Sequence, residues 1–306
     1  MRTLRTFVLA VFAVLGTVSA YAAHYSDLYV IPVVSHTTGQ NGTNWMSDVA
    51  IQNFATAPLT VQLIFIASGE GRLDNVTPVM NGTINGSVTV PPGGSVLLKD
   101  VLAGVPGMDS AIGSLIVGGD RPFAVTSRAY SMTPDGNTIG QTVPPSANFL
   151  NVDEGSIDLA TAVAYVPGLI QNDRYRTNLG LVVANATGFN STLDVTVTVR
   201  NAAGTTVGTR QISVGPGAVT HLQFPVRSLS GAGAASFDVG SAEFRVTQGS
   251  GSVVSYASVI DNQTADAVFI TGNFPDNGSS ALSKGLFLPS PFRDLLQRYG
   301  VGASVQ

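Results

Sequence analysis

The chain has 306 residues, 44% of them hydrophobic and 11% charged, with 34 glycines, 16 prolines and no cysteine. That length suits two domains, the apolar content excludes a disordered chain, and the lack of thiols excludes disulfides, thiolate metal sites and cysteine nucleophiles. Lys and Arg total 15 against 19 Asp and Glu, a formal charge of -4 with no basic stripe, which excludes nucleic acids and anionic membrane surfaces as partners.

Arg2 and Arg5 precede the apolar run Phe7 to Leu15, and the small residues Ser19, Ala20 and Ala22 come after it. This is the order of a secretory signal peptide over residues 1–22, cleaved after Ala20 or Ala22. The run is shorter than the roughly 20 residues that span a bilayer, so the mature chain is expected to carry no transmembrane span. The protein is expected to be secreted, periplasmic or on the cell surface.

Beyond Tyr29, short apolar runs broken by Gly, Pro, Asn and Asp predict strands and tight turns. Five blocks recur in order. Tyr29-Val30-Ile31-Pro32-Val33-Val34 is matched by Val163-Ala164-Tyr165-Val166-Pro167, and Trp45 to Ile51 by Tyr175 to Leu181. Leu59 to Leu63 is matched by Leu193 to Val197, Val88 to Gly94 by Ile212 to Ala218, and Ser114 to Val117 by Glu243 to Val246. Val61 and Val195 stand 134 positions apart, but Val90 and Val214 only 124. The first copy is therefore ten residues longer near Ser68 to Ser87, a stretch with the turn dipeptides Asn81-Gly82 and Asn85-Gly86. That loop is expected to project and to carry any contact specific to the first copy.

In Leu193 to Arg200 the apolar residues share one face, as in an antiparallel sheet covered on one side. In Val253 to Ile260 the alternation weakens, as in a central strand. The expected fold is all-β: two tandem immunoglobulin-like antiparallel β-sandwich domains over residues 23–146 and 161–275, joined by a linker at 147–160. A tail at 276–306 completes the chain, with one short helix. Ser290 caps it, Pro291 takes its first position, Gly300 ends it, and Phe292, Leu295, Leu296 and Tyr299 form its apolar face.

Ile31-Pro32-Val33-Val34, Trp45 to Asp48, Ser127-Arg128-Ala129-Tyr130 and Gly136 to Pro144 resemble motifs of tandem β-sandwich repeat domains in secreted bacterial proteins, a family without an assigned activity. The second copy lacks the S-R-x-Y and G-Q elements, with Ser255 to Ser258 and Ala267 to Phe269 in their places. The resemblance covers most of residues 28–272 and implies accessory modules of the kind appended to secreted hydrolases.

Candidates for chemistry are sparse. The histidines are His24, His36 and His221, and no HExxH, CxxC or G-x-S-x-G motif occurs. His221 aligns with Leu97, which predicts a core or half-buried strand position. Glu70 and Asp74 share the long loop and read as solvated charge, or as a pair for glycoside chemistry or for binding a cation. Asp135-Gly136-Asn137 and Asp276-Asn277-Gly278 lack the other ligands of a calcium loop. Gly231 to Ser236 lacks the strand, helix and lysine of a phosphate loop. Asn41, Asn75, Asn81, Asn85, Asn185, Asn190, Asn262 and Asn277 open N-x-S/T triplets, read as turn chemistry. Trp45, with Tyr175 as its counterpart, reads as a core anchor rather than a sugar platform.

No catalytic, cofactor-binding or metal residue is assigned, and no cofactor is expected. The leading expectation is a non-catalytic exported structural or adhesive module, bound to protein or carbohydrate at a cell surface, with strand edges open to self-association. The alternatives are a secreted carbohydrate-active hydrolase using loop carboxylates and, last, a pilus-type chaperone, which would need a basic cleft.

Overall fold

A computed structural model describes residues 25–39, 42–69, 76–78, 87–133, 135–147, 149–152, 159–185 and 191–274. The expected leader, Glu70 and Asp74 with most of the long loop, and the tail lie outside the described residues. Among the described residues the chain is all-β and its strands pair antiparallel. No helix there is long and apolar enough to cross a membrane.

The first array comprises β1 (Ser26–Thr38), β2 (Asn44–Gln52), β3 (Leu59–Ala67), β4 (Val76–Pro78), β5 (Ser87–Val90), β6 (Ser95–Leu98), β7 (Ala111–Met132) and β8 (Thr138–Thr142). Strand β7 serves two layers. Up to Gly119 it pairs with β3 and up to Phe123 with β1, and from Ala124 it pairs with β2 and then β8. One layer is thus β5-β3-β7-β1 and the other β6-β2-β7-β8. Ile31, Leu63, Phe65, Leu115 and Val117 from the first meet Val49, Ile51, Val125 and Ala129 from the second in a buried core. The period-two alternation of the strands sends these residues inward.

After β9 (Leu150–Val152), the second array comprises β10 (Val163–Gln171), β11 (Tyr175–Asn185), β12 (Leu193–Asn201), β13 (Thr206–Val214), β14 (Val219–Pro225), β15 (Phe237–Gln248), β16 (Gly251–Asp261) and β17 (Ala267–Thr271). Its layers are β10-β15-β12-β13 and β14-β11-β16-β17. Val166, Val195, Val197 and Phe244 meet Leu179, Leu181, Val183 and Ala257 between them.

The pairing of the first array recurs in the second. Trp45 pairs with Ser131, and Tyr175 with Asp261. A register slip follows Ile31 in β1 and Pro167 in β10, opposite Gly113 and Gly240. Mutual backbone hydrogen bonds between Val30 and Ser146 close one array, and those between Tyr165 and Asn273 close the other. Three sequence alignments need correcting by two residues. Leu97 pairs with Ala50 and Gln223 with Gly180, so Leu97 corresponds to Gln223, and His221 to Ser95. Likewise Val117 corresponds to Phe244, and Ser127 to Tyr130 corresponds to Ala257 to Ile260. The ladder between β11 and β14 runs two residues further toward its Pro-Gly turn than its counterpart does. A slip of two keeps every side chain on its face, so periodicity does not detect it.

The arrays join face to face. The outer face of β1, β3 and β7 presents Leu28, Val30, Ile64, Ile66 and Ile116 to Val182, Ala184, Val219 and Val254 on β11, β14 and β16. Strand β16 is consequently buried along its whole length, as its weak alternation predicted. Residues 150–152 of the expected linker pair with β16. The stem of the long loop is a clasp: Gly69 N–H donates to the His221 carbonyl at 3.0 Å, and the Thr220 hydroxyl donates back to the Gly69 carbonyl at 2.5 Å.

Candidate functional site

The polar residues gather at one end of the first array, on the open face of β2 and β7. Period two points Met46, Asp48 and Ala50 outward from β2, and Thr126, Arg128 and Tyr130 outward from β7. The register sets Asp48 beside Arg128, and Met46 beside Tyr130. The W-x-x-D and S-R-x-Y motifs are therefore neighbours in space. Gly140, of the G-Q motif, pairs with Tyr130 on the other side, and its missing Cβ leaves room for the Tyr130 backbone and Cβ.

Asp48 is the hub of this cluster. Its Oδ1 accepts from the Asp100 N–H at 2.9 Å and from the Tyr130 hydroxyl at 3.2 Å. Asp100 lies just past β6 with a φ of 42°, a left-handed backbone that non-glycine residues adopt at a cost. It holds His36 Nδ1 at 2.8 Å. Arg128 lies over the Tyr130 ring, 4.7 Å from its centroid, and reaches Thr138 on β8. Burial raises the Tyr130 phenol above its ordinary pKa, and the Asp48 carboxylate adds to this. Thr37 and Ser110, beside His36, hydrogen-bond each other at 3.1 Å.

A histidine oriented by a carboxylate is half of a hydrolytic constellation. Here the nearby serines have structural work. Ser47 Oγ accepts from the Ser35 N–H, and Ser127 Oγ donates to the Val143 carbonyl at 2.6 Å. Among the described residues no group of three or more His, Asp or Glu side chains is placed to hold a metal. A hollow of about 220 Å³ lies in the other array between β13 and β14, lined by Ile212, Val214 and Leu222 beside Arg210. That hollow and the polar cluster around Asp48 sit in different arrays.

The remaining candidates disperse. Trp45 donates its indole N–H to Thr43 Oγ1 at 3.1 Å and packs against the first core, over the space left by Gly39. His221 is buried in the joint between the arrays. Its Nε2 shares a 2.7 Å hydrogen bond with the Tyr256 hydroxyl, and its Nδ1 has no partner among the described residues. Burial pulls its pKa down to about 3 and pushes the Tyr256 phenol up. Asp135 is tied up in its own turn by Thr133 and Asn137, whose hydrogen bonds hold its carboxyl below the usual range. Gly231, at φ 90°, shapes a turn stitched to β13 through Thr209 and Ser230.

Asn185 is a buried brace. Its side chain donates to the carbonyls of Ser191 and Val214 at 3.0 and 2.8 Å, which leaves no amide open to a glycan. Asn53 does the same work in the first array, donating to Ala57, Val90 and Pro91 and accepting from the Ala55 N–H. Sequence reasoning missed Asn53, as it missed Asp100. An Asn at the end of an apolar strand in both copies is the signal that could have found the pair of braces. Asp100 has no such pattern.

No protein-family model and no curated protein matches the chain. Among solved structures, Thermotoga maritima 1070 aligns over 41% of this chain and 97% of its own at 12% identity, with a TM-score of 0.30. The infectious bursal disease virus VP2 subviral particle aligns over 80% of this chain and 71% of its own at 14% identity, with a TM-score of 0.22. A Bacteroides uniformis beta-glucuronidase aligns over 81% of this chain and 26% of its own at 9% identity, with a TM-score of 0.19.

Proposed function

We propose that the protein is an exported, non-catalytic module of two tandem immunoglobulin-like sandwich domains, acting as a structural or adhesive element in the envelope or outside the cell. Residues 1–22 are its signal peptide, and the tail carries one short helix. The observation that carries this reading is the apolar joint between the arrays. Ile64, Ile66 and Ile116 are fully sequestered against Val182, Ala184 and Val254, and buried apolar area of this kind holds two units as one body. Four stacked layers held in this way display a surface in a fixed orientation. The recurring register and the paired braces Asn53 and Asn185 support descent from one domain.

The partner is protein or carbohydrate at a surface. The mature chain, offered to immobilised cell-wall and extracellular polysaccharides and to intact cells, is expected to be retained without releasing product. The His36–Asp100 pair is the one observation that favours the second reading, a secreted hydrolase. Release of soluble sugar or acid by the wild type, abolished in His36→Ala, would establish that reading instead.

A further inference from the structure

The side of each array where its first strand meets its last segment is treated differently in the two halves. In the first array this seam is covered. Val30 lies in the joint between the arrays, and Gln141 on β8 accepts from the Ser258 hydroxyl of the second array at 3.1 Å. Ala147, after the closing residue Ser146, is partly buried against the first core. The pairing registers name the counterparts. Tyr165 takes the place of Val30, Val268 that of Gln141, and Phe274 that of Ala147.

All three counterparts are exposed large hydrophobics: Tyr165 at 41%, Val268 at 61% and Phe274 at 37%. They lie along one seam. Tyr165 bonds to Asn273, next to Phe274, and Gly168 on β10 faces the Ile270 side chain on β17. The corresponding layer surface has Thr198, Arg200 and Glu243 where the first array has Ile64, Ile66 and Ile116, and Val239 on β15 is exposed there as well. The exposed large hydrophobics of the second array thus gather mainly in a strip beside β10 and β17 rather than over a whole face.

The chain itself supplies an occupant of that size. The first seam is covered by chain that comes after the first array in sequence. The chain that comes after the second array is the tail, which leaves from Phe274 at the strip itself. Phe292, Leu295, Leu296 and Tyr299 recur at helical spacing there, with Ser290 and Pro291 to start the helix and Gly300 to stop it. Residues 275–290 span about 50 Å when extended, which is ample to double back. Terminal caps of this kind are what stacked units need where the stack ends.

We infer that the C-terminal helix over residues 291–299 docks its apolar face on the Tyr165–Val268–Phe274 strip and caps the second array in place of a third. The inference rests on reading the arrays as copies of one domain. Amide exchange of the mature chain is compared with that of a chain ending at Phe274 and of the full-length Leu295→Asp/Leu296→Asp variant, whose substitutions lie outside both arrays in sequence. Protection is expected to fall in both at β17 and at residues 165–169, with β2 and β12 unchanged. Unchanged protection at the strip would overturn the cap, while intact β2 and β12 would leave the two-copy reading standing. Because the chain has no cysteine, Val268→Cys with Leu295→Cys reports the occupant directly. A monomeric disulfide is expected. A disulfide-linked dimer would overturn the cap by placing a second copy on the strip.

Discussion

The two arrays pair their strands alike and differ in what they show outward. On the layer led by β1, the first array carries Ile64, Ile66 and Ile116, all buried in the joint. At the corresponding positions on the layer led by β10, the second carries Thr198, Arg200 and Glu243. The inward faces are alike, because both cores demand apolar residues at the same alternate positions. The outward faces differ because one is a contact and the other is not. Similar strand pairing thus gives one array an apolar contact face and the other a more polar one, and at these positions the difference rests on the side chains.

The sharpest way to break that contrast is to give the first array the outward residue of the second. Ile116→Glu puts a carboxylate into the apolar joint, where no cation among the described residues of that cluster stands to pair it. Stability should fall by about 4 kcal/mol, since burying an unpaired charge is among the costliest single changes. The reverse change, Glu243→Ile, removes a half-buried carboxylate that pairs with Arg245 at 2.8 Å and should shift stability by about 1 kcal/mol or less. Chemical denaturation of both variants checks the pair. Equal effects would mean that the two faces are not differently used.

The braces test what the arrays share. Asn185→Ala strands the carbonyls of Ser191 and Val214, and Asn53→Ala strands those of Ala57, Val90 and Pro91. Each should cost about 2–3 kcal/mol, the penalty for buried polar groups left unpaired. Similar losses at the two sites, read from urea midpoints, would mark them as one device used twice.

These features were unequally legible in the sequence. Strands, turns and the recurrence of blocks follow from local rules, namely period-two alternation and Pro-Gly turns, and a local reading finds them. The weak alternation of Val253 to Ile260 pointed to a central strand, which the structure buries along its whole length. Register slips of two residues were invisible because they preserve the face. The His36–Asp100–Asp48–Tyr130 cluster draws on β1, β2, β7 and the segment after β6, and no spacing rule joins those positions. His221 reads as a strand histidine. Only the stacking of the arrays makes it a residue of their joint, with Tyr256 for a partner and Gly180 giving up its side chain so that the Tyr256 ring can lie there.

His221 has no counterpart in the first array, where Ser95 stands exposed, so its titration sharpens the contrast. Buried and uncharged, it has a pKa near 3 against an ordinary value of 6.5. Above pH 6.5 neither the folded nor the unfolded chain protonates it, and its contribution is fully present. As pH falls from about 6.5 toward 3, the unfolded chain takes up a proton that the folded chain refuses. Stability should then drop by about 1.4 kcal/mol per pH unit from this residue. His221→Phe should flatten that slope between pH 6 and 4 in denaturation series, even if it lowers stability at neutral pH by removing the Tyr256 hydrogen bond. An unchanged slope would mean that other groups dominate acid unfolding.

The smallest effect is expected on the open face. The pairing registers make Asn178 the counterpart of Asp48. Asp48→Asn gives the first array the residue of the second. A side-chain amide oxygen still accepts from the Asp100 N–H and from the Tyr130 hydroxyl, so both bonds at the hub persist. What disappears is a negative charge beside a phenol. Stability should change by about 0.5 kcal/mol or less, because the face is solvated. Burial is the larger cause of the raised Tyr130 pKa and the Asp48 carboxylate the next, so the phenol should titrate lower in Asp48→Asn yet stay above its ordinary value. Spectrophotometric titration of the variant against the wild type, with Tyr130→Phe to identify the signal, reads this directly. A phenol unmoved by the substitution would show that Asp48 braces the strands without setting the electrostatics of the face.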